Sequence, residues 1–233
     1  MPEHHPVVPH DEWIAARTKF LEKEKAFSKQ RDEIARQRLE LPWEEVTKPY
    51  VFTGPAGKRT LPELFDGRSQ LIIQHFMFAP EWEAGCPHCS FWADGYGPMI
   101  IHLNQHDVTL VAVSRAPLAK IEAYRKRMGW SFPWYSSEGG DFNFDFQASF
   151  RPEDLAKGEV VFNYKLQPMK ISEREGASVF YKDGGGKVFH TYSTYARGID
   201  QMNAAYGYLD IAPKGRNENG RNQFWIRRHD EYK

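Results

Sequence analysis

The residues best suited to chemistry are the chain's two cysteines, Cys86 and Cys89. Only Pro87 and His88 separate them, so they cannot link distant parts of a fold, but the spacing suits redox chemistry or metal binding. In redox chemistry, the thiolate of one cysteine attacks a disulfide and the second cysteine resolves the mixed disulfide. The spacing therefore predicts a pair that cycles between dithiol and disulfide and needs no bound cofactor.

The sequence around the pair predicts that it lies where a buried strand meets a helix. The apolar run from Leu71 to Phe78 is typical of a strand buried on both faces of a parallel or mixed sheet, and a helical pattern follows the cysteines. Unpaired backbone N–H groups at a helix start stabilise a thiolate. We therefore expect Cys86 to be an exposed nucleophile and Cys89, one turn further on, to be the resolving cysteine.

The two residues between the cysteines support this interpretation. Pro87 is preorganised for the first turn of a helix and lacks an N–H group that would be unpaired there. A cationic His88 beside the thiolate would lower the pKa of Cys86 further.

A few other residues are candidates for supporting roles. His75 lies inside the apolar strand, either as a core histidine bonded to a backbone group or as a proton shuttle. Trp82 and Trp92 flank the motif and either wall the site or pack in the core. Arg115 and Arg197 follow predicted strand ends, where sites of α/β proteins gather, although an arginine there can also simply hold a carboxylate.

Zinc binding is the main alternative for the cysteines, because Cys86, Cys89, His102 and His106 have the ligand spacing of a zinc finger. The context disfavours this alternative. Ala93 replaces the aromatic residue expected four positions after the second cysteine. Along a helix the histidines would also lie about 20 Å from Cys86. We therefore expect no metal site here.

The rest of the chain alternates strands and helices, which indicates an α/β fold. A strand from Val108 to Val113 and a helix from Leu118 to Met128 imply crossovers and a sheet covered on both sides. The alternating segment from Asp141 to Phe146 favours a strand or an extended segment. We expect a hairpin from Ser178 to Tyr192, then a closing helix from Ile199 to Leu209.

An N-terminal helical extension precedes this domain. From Asp11 the sequence is charged and helix-favouring, with a large apolar residue at every seventh position until Pro42 ends the pattern. So narrow a stripe either braces its own domain or pairs with a second copy, so a homodimer through this helix stays open. We divide the chain into the extension, residues 1–49, and an α/β domain, residues 50–233. The stripe consists of Trp13, Phe20, Phe27, Ile34 and Leu41.

Composition argues against several classes of partner. Lysine and arginine together number 31, and so do aspartate and glutamate, so no basic excess serves nucleic acid or an anionic membrane surface. No apolar stretch is long enough for a membrane span. The polar opening from Met1 to Pro6 lacks the apolar run of a secretory signal, so we expect a cytoplasmic protein.

The strand, the loop with Trp82, the Cys86-Pro87-His88-Cys89 motif and the helix resemble the active site of the thioredoxin superfamily. The Pro-His pair resembles that of strongly oxidising bacterial disulfide-forming enzymes. At full length the chain resembles a bacterial thioredoxin-like family of unknown function, usually labelled predicted dithiol–disulfide oxidoreductases. The resemblance implies a three-layer sandwich with a central mixed sheet, with Cys86 as nucleophile and Cys89 as resolving cysteine. The motifs that carry the full-length resemblance are Leu41-Pro42-Trp43, Gly85-Cys86-Pro87-His88-Cys89-Ser90-Phe91, Val113-Ser114-Arg115-Ala116-Pro117-Leu118, Arg127-Met128-Gly129-Trp130, Tyr192-Ser193-Thr194-Tyr195-Ala196-Arg197-Gly198 and Arg228-His229-Asp230-Glu231-Tyr232.

The chain departs from thioredoxins at two places. Thioredoxins place a cis-proline just before the strand that faces the cysteines, whereas Gly176 and Ala177 precede that strand here and the nearest upstream proline is Pro168. They also bury an aspartate upstream of the motif, where His75 is the nearest equivalent.

The segment from Val111 to Ser114, with the helix after it and Gly129-Trp130, also resembles peroxiredoxins. Those proteins place threonine or serine three residues before the reactive cysteine, where this chain has Glu83, and an ionised carboxylate cannot donate a proton to a peroxide. The leading hypothesis is therefore an oxidoreductase whose partner is a protein or small-molecule disulfide or thiol. A thiol peroxidase and a non-enzymatic redox sensor are the alternatives.

Overall fold

The computed structural model describes residues 5–218 and 220–233; residues 1–4, at the start of the opening in which we expect no secretory signal, lie outside them. The strands are β1 (Glu44–Glu45), β2 (Val51–Gly54), β3 (Gly57–Thr60), β4 (Gln70–His75), β5 (Val108–Ser114), β6 (Trp134–Ser136), β7 (Glu159–Phe162), β8 (Lys165–Pro168), β9 (Gly176–Lys182) and β10 (Val188–Tyr195). The α-helices are α1 (His10–Arg38), α2 (Pro87–Ala93), α3 (Tyr96–Gln105), α4 (Leu118–Arg127), α5 (Phe142–Asp145), α6 (Pro152–Leu155) and α7 (Ala204–Ile211).

Eight of the strands form one mixed sheet, in the order β1-β10-β9-β4-β5-β6-β2-β3, and β7 and β8 form a separate hairpin. Strand β5 is parallel to both β4 and β6, while β9 is antiparallel to β4 and β10 to β9. Parallel neighbours need crossovers, which α2 and α3 provide between β4 and β5, and α4 between β5 and β6. The inner order β5-β4-β9-β10, with the cysteines at the start of the helix that follows β4, is that of a thioredoxin-like fold. The predicted fold class is therefore confirmed.

Alternating side chains give this sheet two different faces. The first, the cysteine face, includes Ile72, Ala112 and Ala177 and is packed against α2, α3, α4 and α7. Gln74 shares this face, because its neighbours Leu71 and Ile73 along β4 point to the other side. That second face, which we name the histidine face after His75, is covered by a 3-10 helix at residues 61–65 and by α5.

The segment predicted as a strand from Asp141 to Phe146 is instead the short helix α5, so this prediction was wrong. Phe142 and Phe146, four positions apart, both pack against His75, with ring centroids 5.5 and 6.2 Å from it. Phe144 points away and lies under the guanidinium of Arg115, 4.8 Å from its ring centroid. Three phenylalanines in alternation were thus compatible with a helical turn that directs only two of them, Phe142 and Phe146, toward His75.

The other predicted elements differ from the structure mainly at their ends. Strand β4 stops at His75, although Phe76 to Phe78 stay buried in the loop that follows. The closing helix predicted from Ile199 to Leu209 is divided at Asn203 into a 3-10 helix, Ala196–Met202, and α7. Asn203 divides it because its side-chain oxygen accepts a hydrogen bond from the Ala205 N–H and caps α7.

Helix α1 ends at Arg38, before the expected Leu41, and none of its residues is buried. The large apolar residues of its seven-residue pattern are all exposed. It approaches the sheet at its end, where the Arg38 guanidinium lies 4.8 Å from the ring centroid of Tyr192. Pairing with a second copy and the division of the chain at residue 49 stay predictions. Within the described residues, no helix has the combined length and apolar character needed to cross a membrane.

Candidate active site

The two cysteines lie at the start of α2, where the loop after β4 turns back on itself. Cys86 is the residue that caps the helix, Pro87 is its first residue, and Cys89 lies in the first turn. One residue of the loop, Met77, contacts both cysteines. Its carbonyl accepts a hydrogen bond from the Cys86 N–H at 3.0 Å, and its N–H donates to the Cys89 sulfur at 3.4 Å. Both cysteines are free thiols.

Both thiols are buried, which corrects the expectation that Cys86 is exposed. Cys86 is 7% exposed and Cys89 is 2% exposed. The C-terminal segment accounts for part of the cover. The guanidinium of Arg228 donates two hydrogen bonds, of 3.1 and 2.8 Å, to the carbonyl of Gly85, and Trp225 packs against Phe91 on α2. Sequence reasoning missed this cover because Arg228 is 142 positions from Cys86 along the chain (228 − 86 = 142).

The two thiols have opposite pKa shifts. A hydrogen bond from the Cys89 thiol holds the pKa of Cys86 well below its ordinary value, and His88, whose Nδ1 lies 4.0 Å from the Cys86 sulfur, lowers that pKa further against the effect of burial. Burial first, and then the hydrogen bond and charge of Cys86, raise the pKa of Cys89 well above its ordinary value. Both shifts favour a thiolate on Cys86 and a thiol on Cys89.

His88 gains from the same contact. Its hydrogen bond with Cys86 raises the pKa of the imidazole, against the effect of burial, and a hydrogen bond to the backbone of Gln223 adds to that increase. Both shifts favour a thiolate beside an imidazolium, and the sequence predicts this cationic role for His88. The C-terminal segment thus covers the pair and also supports the cation beside it.

Gly85 permits the close packing beneath the pair. A Cβ atom at this position would lie 2.7 Å from a ring carbon of Phe76 and 2.8 Å from one of Tyr124. The Tyr124 hydroxyl in turn lies 2.9 Å from the Ser90 hydroxyl, and Ser90 donates a hydrogen bond of 2.8 Å to the Cys86 carbonyl. Hydrogen bonds from Tyr124 through Ser90 to the Cys86 carbonyl therefore hold the backbone of Cys86 in place.

Glu175 is a residue of the site that sequence reasoning missed. It directly precedes β9, close enough to the pair that its charge raises the pKa values of Cys89 and His88. Burial is the main cause that raises its own pKa. In thioredoxins the cis-proline occupies the start of this strand, and within residues 5–218 and 220–233 the structure has no cis peptide bond. The signal in the sequence was the charged pair Arg174-Glu175 immediately before a predicted strand.

A cavity of about 440 Å³ adjoins the pair on the side of Cys89. His88 and Cys89 line it together with Trp92, whose indole N–H is fixed by a 2.9 Å hydrogen bond to the Ile199 carbonyl. Arg197, a predicted supporting residue, also lines this cavity. The structure therefore brings together Cys86, Pro87, His88, Cys89 and Arg197.

Three predicted supporting residues lie elsewhere. His75 is on the histidine face of the sheet, where its Nε2 lies 2.7 Å from the Ser178 hydroxyl. The Nε of Arg115 donates a 2.8 Å hydrogen bond to the buried carboxylate of Glu173, so this arginine holds a carboxylate, the simpler of the two interpretations. Trp82 is partly buried at the edge of the core, and its carbonyl accepts a 3.0 Å hydrogen bond from Lys120. We leave these three out of the candidate site.

The histidines of the zinc alternative lie on α3 or just after it. His102 is in the last turn of α3, and His106 follows the helix. In the described parts of the chain, no three His, Cys, Asp or Glu side chains are grouped so that they could hold a metal ion.

Comparison with protein families gives one match, which covers almost the whole chain. The model of a bacterial family of unknown function, DUF899, matches residues 2–232. No curated protein matches the chain.

Solved structures that resemble this one are peroxiredoxins at low identity. The peroxidoxin BcpB from Mycobacterium tuberculosis is 15% identical with a TM-score of 0.46, and the match covers 70% of this chain and 94% of that one. Peroxiredoxin Q from Xanthomonas campestris is 13% identical with a TM-score of 0.44, over 69% and 89% of the two chains. A mitochondrial 2-Cys peroxiredoxin from Plasmodium falciparum is 10% identical with a TM-score of 0.41, over 72% and 92%. Likenesses at this level carry no argument about activity.

Proposed function

We propose that this chain, which belongs to the bacterial DUF899 family of unknown function, is a thiol–disulfide oxidoreductase that uses Cys86 as nucleophile and Cys89 as resolving cysteine. The observation that carries the proposal is the asymmetry of the pair. His88 and Cys89 both stabilise a thiolate on Cys86, and Cys89 remains a thiol in the same turn of helix. In such a pair, the Cys86 thiolate can attack a disulfide while Cys89 stays protonated until the mixed disulfide has formed.

In the first step, the Cys86 thiolate attacks one sulfur of a substrate disulfide. The substrate S–S bond breaks, a Cys86–substrate disulfide forms, and the leaving thiolate takes up a proton. This step removes the negative charge of Cys86, which is one of the causes that raise the pKa of Cys89. Attack by Cys86 therefore makes the Cys89 thiol easier to deprotonate. We assign the nearby Glu175 to accept the Cys89 proton.

In the second step, the Cys89 thiolate attacks the Cys86 sulfur. The mixed disulfide breaks, the Cys86–Cys89 disulfide forms, and the second substrate thiol leaves with the remaining proton. Two electrons pass from the protein to the substrate, and an external thiol must return them in each cycle. In a reducing cytoplasm, which we expect for this protein, the pair rests as the dithiol.

Peroxide reduction would use the same nucleophile, so it is an outcome of the test and not a separate proposal. Glu83, at the position of the peroxiredoxin threonine or serine, is exposed, and an ionised carboxylate cannot donate a proton to a peroxide. We therefore expect disulfides to react faster than hydroperoxides.

The test compares the wild type with Cys86→Ser and Cys89→Ser in reactions with a disulfide and with a hydroperoxide. We expect Cys86→Ser to abolish both. Cys89→Ser should lose turnover by about a thousandfold or more while one substrate equivalent stays attached to Cys86, visible as a mass increase of the intact protein. Disulfide turnover unaffected by Cys86→Ser would overturn the proposal. Faster reaction with the hydroperoxide would favour a thiol peroxidase.

A further inference from the structure

The cavity beside Cys89 has the size and lining of a small-molecule site. Its volume of about 440 Å³ lies within the usual range for such sites. Apolar side chains form much of its wall, with Cys89 and His88 at one side. The apolar members are Met77, Trp92, Ile171, Ala196 and Ile199.

The same cavity carries two guanidinium groups, of which Arg174 is the more informative. Its Nε lies 3.3 Å from the Met169 sulfur, and its guanidinium carbon is 5.4 Å from the ring centroid of Phe162. These contacts fix the side chain without neutralising it, since no carboxylate of residues 5–218 and 220–233 forms an ion pair with it. The second group, Arg197, is 74% exposed and has one 3.3 Å contact with Asp200.

A fixed cation that forms no ion pair with a described carboxylate, at the wall of a largely apolar cavity, suits an anion that arrives with the substrate. Glu175 lines the same cavity and partly offsets this charge. The two guanidinium groups nevertheless outnumber this one carboxylate in the cavity wall. A carboxylate is the anion that an arginine fork binds with two parallel hydrogen bonds.

The cover over the pair indicates a small substrate. Cys86 is 7% exposed, and the hydrogen bonds from Arg228 to Gly85 hold the C-terminal segment over it. A protein disulfide would have to displace this segment to bring its sulfur to Cys86. A small molecule can approach the pair through the cavity instead, because Cys89 and His88 line its wall and the Cys86 sulfur lies 4.0 Å from the Nδ1 atom of His88.

We infer that the substrate is a low-molecular-weight disulfide that bears a carboxylate, held in this cavity with its carboxylate on Arg174 and Arg197. The inference rests on the proposed function. Reduction follows the two steps given above, so one disulfide and the Cys86–Cys89 dithiol yield two carboxylate-bearing thiols and the protein disulfide.

Three disulfides of similar size and different charge test the inference. They are 3,3′-dithiodipropionate, which is anionic, 2-hydroxyethyl disulfide, which is neutral, and cystamine, which is cationic. We expect the second-order rate constant of the wild-type protein to be highest for the anionic disulfide and lowest for the cationic one. A wild type without this preference, or with the opposite one, would overturn the inference.

The variant Arg174→Gln should lower the rate constant for dithiodipropionate by about tenfold or more, because a charge-assisted hydrogen bond is lost. The rate constant for the neutral disulfide should stay within about twofold. Arg174→Lys keeps the charge and should recover part of the loss, which separates a binding role from a folding defect. Arg59→Gln, on β3 at the far edge of the sheet, is the matched control. An equal loss with all three disulfides in Arg174→Gln would contradict a role in carboxylate binding.

A binding measurement distinguishes a failure of the inferred substrate from a failure of the proposed function. The Cys86→Ser, Cys89→Ser double variant cannot react, so calorimetric titration with dithiodipropionate reports binding alone. Binding that Arg174→Gln abolishes supports the inference, and no binding counts against it. If the wild type reduces the neutral disulfide but shows no charge preference, the proposed function stands and the inference fails. If none of the three is reduced, the proposed function itself fails.

Discussion

The two faces of the central sheet bury titratable groups in opposite ways. On the cysteine face, hydrogen bonds from Cys89 and His88 outweigh burial, so the charged form of Cys86 is favoured. On the histidine face, burial is the main influence on His75 and lowers its pKa to about 3, which favours the neutral form. Burial alone therefore suppresses charge, and a nearby donor or cation is needed to reverse that effect.

The histidine face shows what a buried polar group looks like when its contacts are structural. A chain of hydrogen bonds runs from His75 to Ser178, from Ser178 to Ser193 and from Ser193 to His190, each 2.7 Å long. The ring of His75 also packs against Phe142 on α5. This chain links strands β4, β9 and β10 and does not approach the cysteine pair, which lies across the sheet.

The largest expected effect concerns the histidine face and the stability of the protein in acid. The pKa of His75 is lowered from 6.5 to about 3. Between those two pH values only the unfolded state binds the proton, so the free energy of unfolding falls as the pH decreases through this window. His75→Gln removes this contribution and should reduce the difference in unfolding free energy between about pH 7 and about pH 4 by about 3 kcal/mol.

Urea unfolding at the two pH values measures this difference. His106→Gln, which replaces an exposed histidine outside the histidine face, is the control. Equal pH dependence in the wild type and His75→Gln would show that the histidine face does not suppress charge as described.

A second effect tests the packing of the cysteine face. Gly85→Ala places a methyl group less than 3 Å from Phe76 and Tyr124, so one of these rings or the backbone must move. We expect a loss of about 2 kcal/mol in the free energy of unfolding. Gly184→Ala, in the turn between β9 and β10, is the matched control, since no atom lies within 4 Å of its added Cβ. Similar stability of both variants would mean that Phe76 and Tyr124 are loosely packed around Gly85.

The smallest expected effect concerns the contribution of the His88 cation to the lowered pKa of Cys86. Because the pKa of Cys86 lies below its ordinary value of 9.0, its rate of alkylation should stay high as the pH falls and decline only below the lowered pKa. His88→Asn removes the cation and should move this profile to higher pH, with a severalfold lower rate near neutral pH. An unchanged pH profile would assign the lowered pKa to Cys89 alone. The rate of alkylation of Cys86 by iodoacetamide in the Cys89→Ser variant would then check that assignment.

Parts of this picture could be predicted from local sequence alone. The run from Leu71 and the motif after it predicted a buried strand followed by a helix with Cys86 at its start, and the structure has both. The helix from Leu118 was also predicted nearly to the residue. The alternation at Asp141 to Phe146 misled because three phenylalanines fit two periods equally well, and tertiary packing against His75 decided between them.

The site itself was only half accessible to such reasoning. Cys86, His88 and Cys89 are neighbours along the chain, so their chemistry could be inferred from spacing. Arg115 and His75 could not be judged, because what matters is the carboxylate held by the first and the sheet face that buries the second. Neither follows from position in the sequence, since strand order and the register of β9 determine both.

The amino-acid sequence by itself determined the cysteine pair, the strand and helix that position it, and the α/β class, because each of these depends on residues within a few positions of one another. Only the tertiary structure decided that Arg228 and Trp225 cover the pair and that Arg174, Glu175 and Arg197 line the cavity beside it. Those residues lie roughly 85 to 140 positions from Cys86 along the chain, at distances where only the completed sheet and the packed C-terminal segment bring side chains together.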